Sequence, residues 1–382
     1  MPDDTKSLTI IKCLKQVCIG IAIICISCSA IFPIRFQSGM KEGIMASNVT
    51  DNVDFYRGPL SHRAYFVMGM YMTILGFAAY IGNGLILFLF FKNKLFRQAH
   101  INLFIVNIVV CNIGESLLGF PFGVASHFSY RWIFGDIGCR FYGFVCFACC
   151  LSSMCTYVAI SVYRYIAICQ PALLGRLLKG NRIPFVLVVI WAYSLFWAVS
   201  PFFGWGKYAP EPFKTTCSLA WTDRSLSSVT FIISVLIFIL AIPVTVMMAA
   251  YIRILHVTRS QVSGGALPQE MVQLPTGHAK HGVHCIRDIE SRTTTIVFVT
   301  VALYVIAWAP YAIMSFLSVC GIRIPVEATP IPTMFAKSNC AYNPIIYFVS
   351  HRRFRTSLME LFGISPSFDA PVAKETNSVQ KT

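Results

Sequence analysis

The chain has 382 residues, of which 56% are hydrophobic and only 12% are charged. An ordinary soluble domain carries about 25% charged residues, so this composition excludes a typical water-soluble globular protein and favours a membrane protein. The 31 basic residues outnumber the 16 acidic ones, but they lie between long apolar runs, which argues against a nucleic-acid-binding surface.

The N-terminal segment, residues 1–65, is predicted to be extracellular. Lys6, Lys12 and Lys15 precede an apolar run within residues 1–45, and this arrangement is typical of a signal peptide. Two other interpretations stay open: the run is retained as an eighth span, or it belongs to an upstream extension and Met45 is the natural start.

Seven apolar segments follow, and each is long enough to cross a bilayer as a helix. A span needs about 20 mostly apolar residues because lipid offers the backbone no hydrogen-bond partner. We therefore predict an all-α membrane protein, a bundle of seven transmembrane helices in residues 66–350. The connection 253–292 is polar, and a solvated loop is expected there. The predicted spans are residues 66–91, 101–124, 141–162, 183–206, 225–252, 293–322 and 328–350.

The orientation of the bundle follows from the basic residues beside the spans. The loops after spans one, three and five carry most of the Lys and Arg, and such residues are retained on the cytoplasmic side. We expect a multi-pass protein of the plasma membrane with an extracellular N-terminus and a cytoplasmic C-terminus. Asn48 begins an Asn-Val-Thr tripeptide, which is a glycosylation acceptor on the predicted outer side.

The C-terminal segment, residues 351–382, begins with a short amphipathic pattern. Phe354, Leu358 and Leu361 fall on one helical face, and Arg352 and Arg353 fall largely off it. This pattern predicts a helix that lies on the inner leaflet, followed by a short cytoplasmic tail.

Lys337 is the most informative single residue, because it lies about ten residues into the seventh span. A charged side chain near the middle of a membrane costs about 2.5 to 3.5 kcal/mol, so it usually has a function. Snorkelling to the interface is disfavoured, because uncharged residues extend far on both sides of Lys337. A structural ion pair and a desolvated amine that attacks an aldehyde and forms a Schiff base stay open from position alone.

The residues around Lys337 carry a family resemblance. Lys337 precedes an Asn343-Pro344-x-x-Tyr347 motif in the segment FAKSNCAYNPIIY. With this segment the chain resembles the animal opsins, which are rhodopsin-like seven-helix receptors, from about residue 66 to residue 362. The other marks of the resemblance are Gly82-Asn83, Trp191, Pro201, Pro243, Tyr251 and Trp308-Ala309-Pro310-Tyr311.

The resemblance implies a covalently bound retinal, as 11-cis-retinal or another isomer, attached to Lys337 as a Schiff base. It also implies a photoreceptor in which light isomerises the retinal and switches the receptor to its signalling state. The expected partners are a heterotrimeric G protein, arrestin, a receptor kinase and the lipid bilayer. Tyr142, Phe147, Trp308 and Tyr311 are the expected pocket residues.

The second outer loop is expected to cover the retinal pocket. The resemblance implies a disulfide between Cys139 and Cys217 that holds this loop over the bundle. It also implies that Glu211 is the counterion of the protonated Schiff base, as in non-visual opsins with an acidic residue in this loop, since Tyr142 occupies the alternative acidic position. Glu115, a carboxyl inside span two, either contributes to the counterion network or stays neutral in a structural role.

The cytoplasmic ends of the spans resemble the switch of the rhodopsin-like receptors. Arg164 is present, but Tyr163 stands where these receptors have an acidic residue, and only Glu290 remains to pair with Arg164 in the resting state. We therefore predict a higher dark activity than in a relative with the intact motif. The other expected switch residues are Tyr251, Asn343, Pro344 and Tyr347.

Two other functions compete with light-gated signalling. A retinal photoisomerase with little signalling is the alternative from the enzyme class, although Arg164 and the Asn343-Pro344 motif favour a receptor that is not an enzyme. A receptor for a diffusible ligand is disfavoured because the Glu211 loop accompanies Lys337. The scattered His and Cys residues do not have the spacing of metal ligands, so no metal is expected.

Overall fold

The computed structural model describes residues 58–93, 101–173, 182–264, 278–350 and 352–361. Side chains are described throughout these ranges except at 259–297, 347, 349–350 and 352–355. The interpretations of residues 1–45 and of Asn48 concern segments outside the described residues.

Six helices in the described part of the chain are long and apolar enough to cross a membrane. The seventh predicted span, 328–350, is divided at Ser338 into two shorter helices. A further helix follows it, as the amphipathic pattern predicted. In chain order the helices are α1 (His62–Lys92), α2 (Asn102–Phe128), α3 (Gly135–Cys169), α4 (Ile183–Phe203), α5 (from Leu226 to Gly264), α6 (His278–Val319), α7 (Pro330–Lys337), α8 (Asn339–Ser350) and α9 (Arg352–Leu361).

Local sequence explains where several of these helices begin. Ser61 caps α1, because its hydroxyl accepts a hydrogen bond of 3.2 Å from the Ala64 amide, and Ser225 caps α5 in the same way through Ser228. Such caps satisfy amides that have no partner in the first turn. Pro184 and Pro330 lie in the first turns of α4 and α7, where the missing amide costs nothing.

The prediction of a loop over residues 253–292 is wrong at both ends. Helix α5 continues to Gly264, and α6 already begins at His278. The Arg, Gln and Ser residues there are compatible with a helix once it has started. The change in polarity therefore marks where each helix leaves the apolar region, and not where it ends.

Two of the spanning helices contain a π-helical segment: Glu115–Gly119 in α2 and Leu236–Ala241 in α5. In α2 the Phe120 amide bonds the Glu115 carbonyl, five residues earlier. Each segment therefore changes which side chains the rest of its helix presents to the bundle. Such single-turn bulges often occur at functional sites.

Helix α3 lies at the centre of the bundle and packs against α2, α4, α5 and the outer loop. Buried polar residues join the neighbouring helices. Asn107 of α2 donates to Ser152 and Thr156 of α3 at 3.1 and 2.8 Å and accepts from Trp191 of α4 at 2.8 Å. Satisfied polar groups of this kind fix how the helices face each other.

The outer loop between α4 and α5 forms a lid over the bundle. Its strands, β1 (Tyr208–Pro210) and β2 (Cys217–Leu219), pair antiparallel with Ala209 opposite Ser218. Cys217 is bonded to Cys139 at the start of α3, which confirms the predicted disulfide. Two hydrogen bonds of 2.8 Å hold the turn of the lid: Tyr65 Oη donates to the Phe213 carbonyl, and Thr215 Oγ1 pairs with His127 Nδ1.

Candidate functional site

An internal cavity of about 160 Å³ lies beneath the lid. Residues of α2, α3, α5, α6 and α7 and of strand β2 form its wall. Most of them are apolar or aromatic, which suits a long apolar ligand. Those used below are Glu115, Cys146, Phe147, Glu211, Ser218, Trp221, Trp308, Tyr311 and Lys337.

Lys337 projects from the last residue of α7 into the cavity wall. Its side chain is buried, with 9% of the residue exposed, and its Nζ lies 4.9 Å from the centroid of the Tyr142 ring. The helix stops directly after it: the Ser338 amide bonds both the Met334 and the Phe335 carbonyls. The break therefore places a buried amine away from both ends of the seventh span, 328–350, and this position does not support snorkelling to the interface.

Glu211 follows strand β1 and lines the same cavity from the lid. Its Oε1 accepts a hydrogen bond of 2.9 Å from the Tyr311 hydroxyl, and its Oε2 accepts one of 2.9 Å from the Trp221 indole. Burial raises the pKa of the Glu211 carboxyl, and the donors from Ser218, Tyr311 and Trp221 act in the opposite direction. These donors favour the charged form but do not outweigh burial, so the pKa of the Glu211 carboxyl stays above its ordinary value.

Glu115 is the second carboxyl in the cavity wall. It is the first residue of the π-helical segment of α2. A Cβ placed on Gly119, one turn further, would lie 2.8 Å from Cys146 Sγ, 3.7 Å from Glu115 Cγ and 4.0 Å from Tyr142 Cε2. The side chains of Glu115, Tyr142 and Cys146 thus converge over this glycine.

Three of the four predicted pocket residues, Phe147, Trp308 and Tyr311, line the cavity. Tyr142 is fully buried and contacts Lys337 through its ring. Sequence reasoning missed Trp221 and Ser218, which surround Glu211 in the lid. Their positions depend on the register of β1 with β2, which no motif in the sequence specified.

The predicted switch residues lie in the half of the bundle away from the lid, which is the inner half in the predicted orientation. Arg164 is buried, and its guanidinium carbon lies 6.0 Å from the centroid of the Tyr163 ring. Asn343 Oδ1 accepts a hydrogen bond of 2.9 Å from Tyr157, and Tyr251 stacks edge-on against Phe298 of α6 at 5.1 Å.

The remaining switch predictions are described less fully. Pro344 packs against Gly82, where an added Cβ would lie 2.7 Å from the proline ring. Glu290 lies in α6 and Tyr347 in α8, but their side chains are outside the described residues. The predicted pairing of Glu290 with Arg164 therefore stays a prediction.

Comparison with known proteins identifies the family. The model of the "7 transmembrane receptor (rhodopsin family)" matches residues 82–347. The chain is 36% identical to Opsin-5 of Homo sapiens over 306 residues, which cover 79% of this chain and 82% of that protein. It is 34% identical to "Rhodopsin, G0-coupled" of Mizuhopecten yessoensis over 304 residues, which cover 79% and 73%.

The fold comparison agrees with the sequence comparison. The crystal structure of squid rhodopsin matches with a TM-score of 0.72 and 28% identity, over 85% of this chain and 91% of that one. These relatives are named as opsins or rhodopsins, and the photoisomerase alternative is not favoured. The chain is a multi-pass membrane protein of the rhodopsin family and belongs, within that family, to the animal opsins, which are G-protein-coupled photoreceptors.

Proposed function

We propose that this opsin binds retinal covalently through Lys337, with Glu211 as the counterion. The observation that carries the proposal is a buried amine in the wall of an apolar cavity whose lid presents a buried carboxyl. The amine condenses with the aldehyde of retinal, and one water molecule leaves. The resulting nitrogen keeps its proton only where an anion balances the charge in this apolar environment.

The lining of the cavity suits retinal. Phe147, Trp308 and Tyr311 offer flat apolar surfaces that lose little conformational entropy when a polyene packs against them. Bound retinal supplies the absorption of visible light and a cis–trans isomerisation that changes its shape. The dark-state isomer is 11-cis-retinal or another isomer that this cavity accepts.

A continuous series of aromatic contacts leads from the cavity towards the inner half of the bundle. The rings of Trp308 and Tyr304 lie 6.2 Å apart, and those of Tyr304 and Tyr157 lie 4.9 Å apart. Tyr157 then donates to Asn343. We propose that a change of shape at Trp308 shifts this series and the inner part of α6 around Pro310. Packed helices convert small displacements into a choice between two arrangements.

The moved helix then exposes the surface around Arg164 to the G protein. Tyr251 and Tyr347 are proposed to stabilise this open form, and Glu290 is proposed to pair with Arg164 in the closed one. Arrestin and a receptor kinase are proposed as further partners at the same face. The basic loops after spans one, three and five support a cytoplasmic location of this face and an extracellular N-terminus at the plasma membrane.

The first prediction tests the attachment residue. The purified chain, reconstituted with 11-cis-retinal, is expected to show a visible absorption band that light shifts. In Lys337→Ala the amine is absent, so we expect no band, and borohydride trapping followed by mass spectrometry should find no retinal on the chain. Lys92→Ala, at the end of α1, is the control and should form the wild-type pigment.

Binding and signalling are measured on the same preparations. Illumination of the wild-type pigment should accelerate nucleotide exchange on an added heterotrimeric G protein, and Lys337→Ala should give no response to light. A visible pigment in the Lys337→Ala variant, or retinal trapped on another lysine of the wild type, would refute the proposal.

A further inference from the structure

The retinal cavity contains more acidic than basic side chains. Lys337 is the one basic residue among those that line it in the described structure, whereas Glu115 and Glu211 are both acidic. Two ionised carboxylates beside one cation would leave a net negative charge in an apolar cavity, and such a charge is strongly unfavourable there. Electrostatics therefore requires one proton to remain on the pair of carboxyls.

The two carboxyls have very different surroundings. Glu211 lies in the lid, where both of its oxygens accept hydrogen bonds from Trp221 and Tyr311. Glu115 lies in α2, and none of the hydrogen bonds between described residues ends on its side chain. The lid thus holds its carboxyl in place, whereas the carboxyl of α2 faces the cavity without a fixed donor.

Glu115 and Lys337 both lie near the Tyr142 ring. The Lys337 nitrogen lies 4.9 Å from the ring centroid, and Glu115 Cγ and Tyr142 Cε2 lie 3.7 and 4.0 Å from a Cβ placed on Gly119. Two features of α2 place the Glu115 carboxyl near this ring. One is the π-helical segment that begins at Glu115, and the other is Gly119, which lets α2 approach α3 closely. A regular helix with a larger residue at this position would move α2 away from α3.

The other titratable groups around this site are uncharged at neutral pH at their ordinary values, as Cys, Tyr and His side chains. The charges that decide the balance are therefore those of the amine and the two carboxyls. The titratable groups that interact electrostatically with Glu115 are Lys337, Cys111, Tyr142, Cys146, Cys149, Cys150, Tyr304 and Cys340. Lys337 interacts electrostatically with Glu211 and His127 as well.

We propose that Glu115 and Glu211 share one proton and that either carboxylate can serve as the anion for the Lys337 nitrogen. This inference rests on the proposed attachment of retinal to Lys337. It assigns Glu115 a direct electrostatic role, in place of a neutral structural one. It also makes the visible pigment tolerant of the loss of either carboxyl, because the remaining one gives up the proton and becomes the anion.

The second prediction compares Glu115→Gln, Glu211→Gln and the double variant as retinal-bound pigments. Each single variant should keep a visible band at neutral pH, because one carboxylate remains. The alkaline midpoint at which the band is lost should fall by at least about one pH unit, a tenfold weaker hold on the proton. The double variant has no anion and should absorb in the near-ultraviolet at neutral pH.

Infrared spectroscopy of the same pigments tests the shared proton. The wild type should show the C=O stretch of one protonated buried carboxyl, and both single variants should lack it. Glu327→Gln removes an exposed carboxyl of the loop between α6 and α7 and is the matched control, which should behave as the wild type. Glu115→Asp keeps a carboxyl and should restore the alkaline midpoint towards that of the wild type.

The Glu211→Gln pigment decides the question even if the variants of Glu115 fold poorly. If this pigment loses its visible band at neutral pH and keeps the C=O stretch, Glu115 is permanently neutral and the inference is wrong. Mass spectrometry of each variant distinguishes this result from a failure of the proposed function. If the proposed function is wrong, no retinal will be found on Lys337 in any variant.

Discussion

At the scale of single residues, the lid carboxyl is controlled by the groups that donate to it. Glu211 is buried, and burial raises its pKa because it disfavours the charged form. The Tyr311 hydroxyl bonds Glu211 Oε1 at 2.9 Å and also lies 3.0 Å from Ser218 Oγ. Tyr311 of α6 therefore links the bundle to the lid at the Glu211 carboxyl.

The third prediction concerns Tyr311→Phe, which keeps the ring and removes this donor. A hydrogen bond to the charged form lowers the pKa of a carboxyl, so its loss should raise the pKa of Glu211 further. On acidification, the absorption change that accompanies protonation of Glu211 should then occur at a higher pH than in the wild type. Absorption spectra recorded against pH measure this acid midpoint.

Tyr80→Phe, on an exposed face of α1, is the control. An unchanged acid midpoint in Tyr311→Phe would show that the Tyr311 hydroxyl does not stabilise the charged form of Glu211.

At the scale of elements, two irregular helices build the site. The break at Ser338 ends α7 directly after Lys337, and the π-helical segment begins at Glu115 in α2. Both depart from a regular helix at the residues that carry charge. Irregular backbone at membrane depth is tolerated where it lines a protein cavity, and here it turns charged side chains towards such a cavity.

The sequence predicted the helices far better than these irregularities. Length and hydropathy are sufficient to find a span, so all of α1 to α6 were expected, and the ends of α1, α2 and α4 lie close to the predicted ones. Helix α3 runs from Gly135 to Cys169 and so extends beyond the predicted 141–162 at both ends. The polar end of α5 and the start of α6 were missed because polarity does not break a helix. Lys337 and Glu211 could be predicted from motifs, whereas Trp221 and the position of Glu115 could not, because they depend on strand register and on an extra residue in a helical turn.

The fourth prediction tests the close approach of α2 and α3 at Gly119. An added Cβ would lie 2.8 Å from Cys146 Sγ, and such overpacking typically costs about 1 to 3 kcal/mol. Gly119→Ala should therefore lower the thermal stability of the purified protein, and Cys146→Ala in the same chain should recover part of the loss. Gly84→Ala is the control, since nothing lies within 4 Å of its added Cβ. Additive effects of the two changes in a double-mutant cycle would mean that the helices do not meet there.

At the scale of the whole molecule, the lid and the inner half of the bundle are joined through α3. The disulfide from Cys139 to Cys217 fixes the lid to the outer end of this helix, and Arg164 lies near its inner end. Tyr142 and Tyr157 lie on the same helix between them, at the cavity and at the Asn343 contact. A long helix packed against most of its neighbours transmits a displacement only as part of a rearrangement of the bundle.

The fifth prediction concerns the stability of the resting arrangement at the inner end of α3. The guanidinium carbon of Arg164 lies over the Tyr163 ring, 6.0 Å from its centroid. The rhodopsin-like receptors that this chain resembles have a carboxylate at the position of Tyr163. A cation–π contact at such a site is worth about 0.5–1 kcal/mol, and a partly exposed ion pair is also worth about 1 kcal/mol or less. Tyr163→Glu adds a full charge beside the guanidinium, so it should lower nucleotide exchange in the dark by a few fold while the response to light remains. Tyr163→Phe keeps the ring without adding charge and should retain the wild-type dark rate. Equal dark rates in all three proteins would mean that the closed state depends on contacts elsewhere, and the dark activity predicted from Tyr163 would then be wrong.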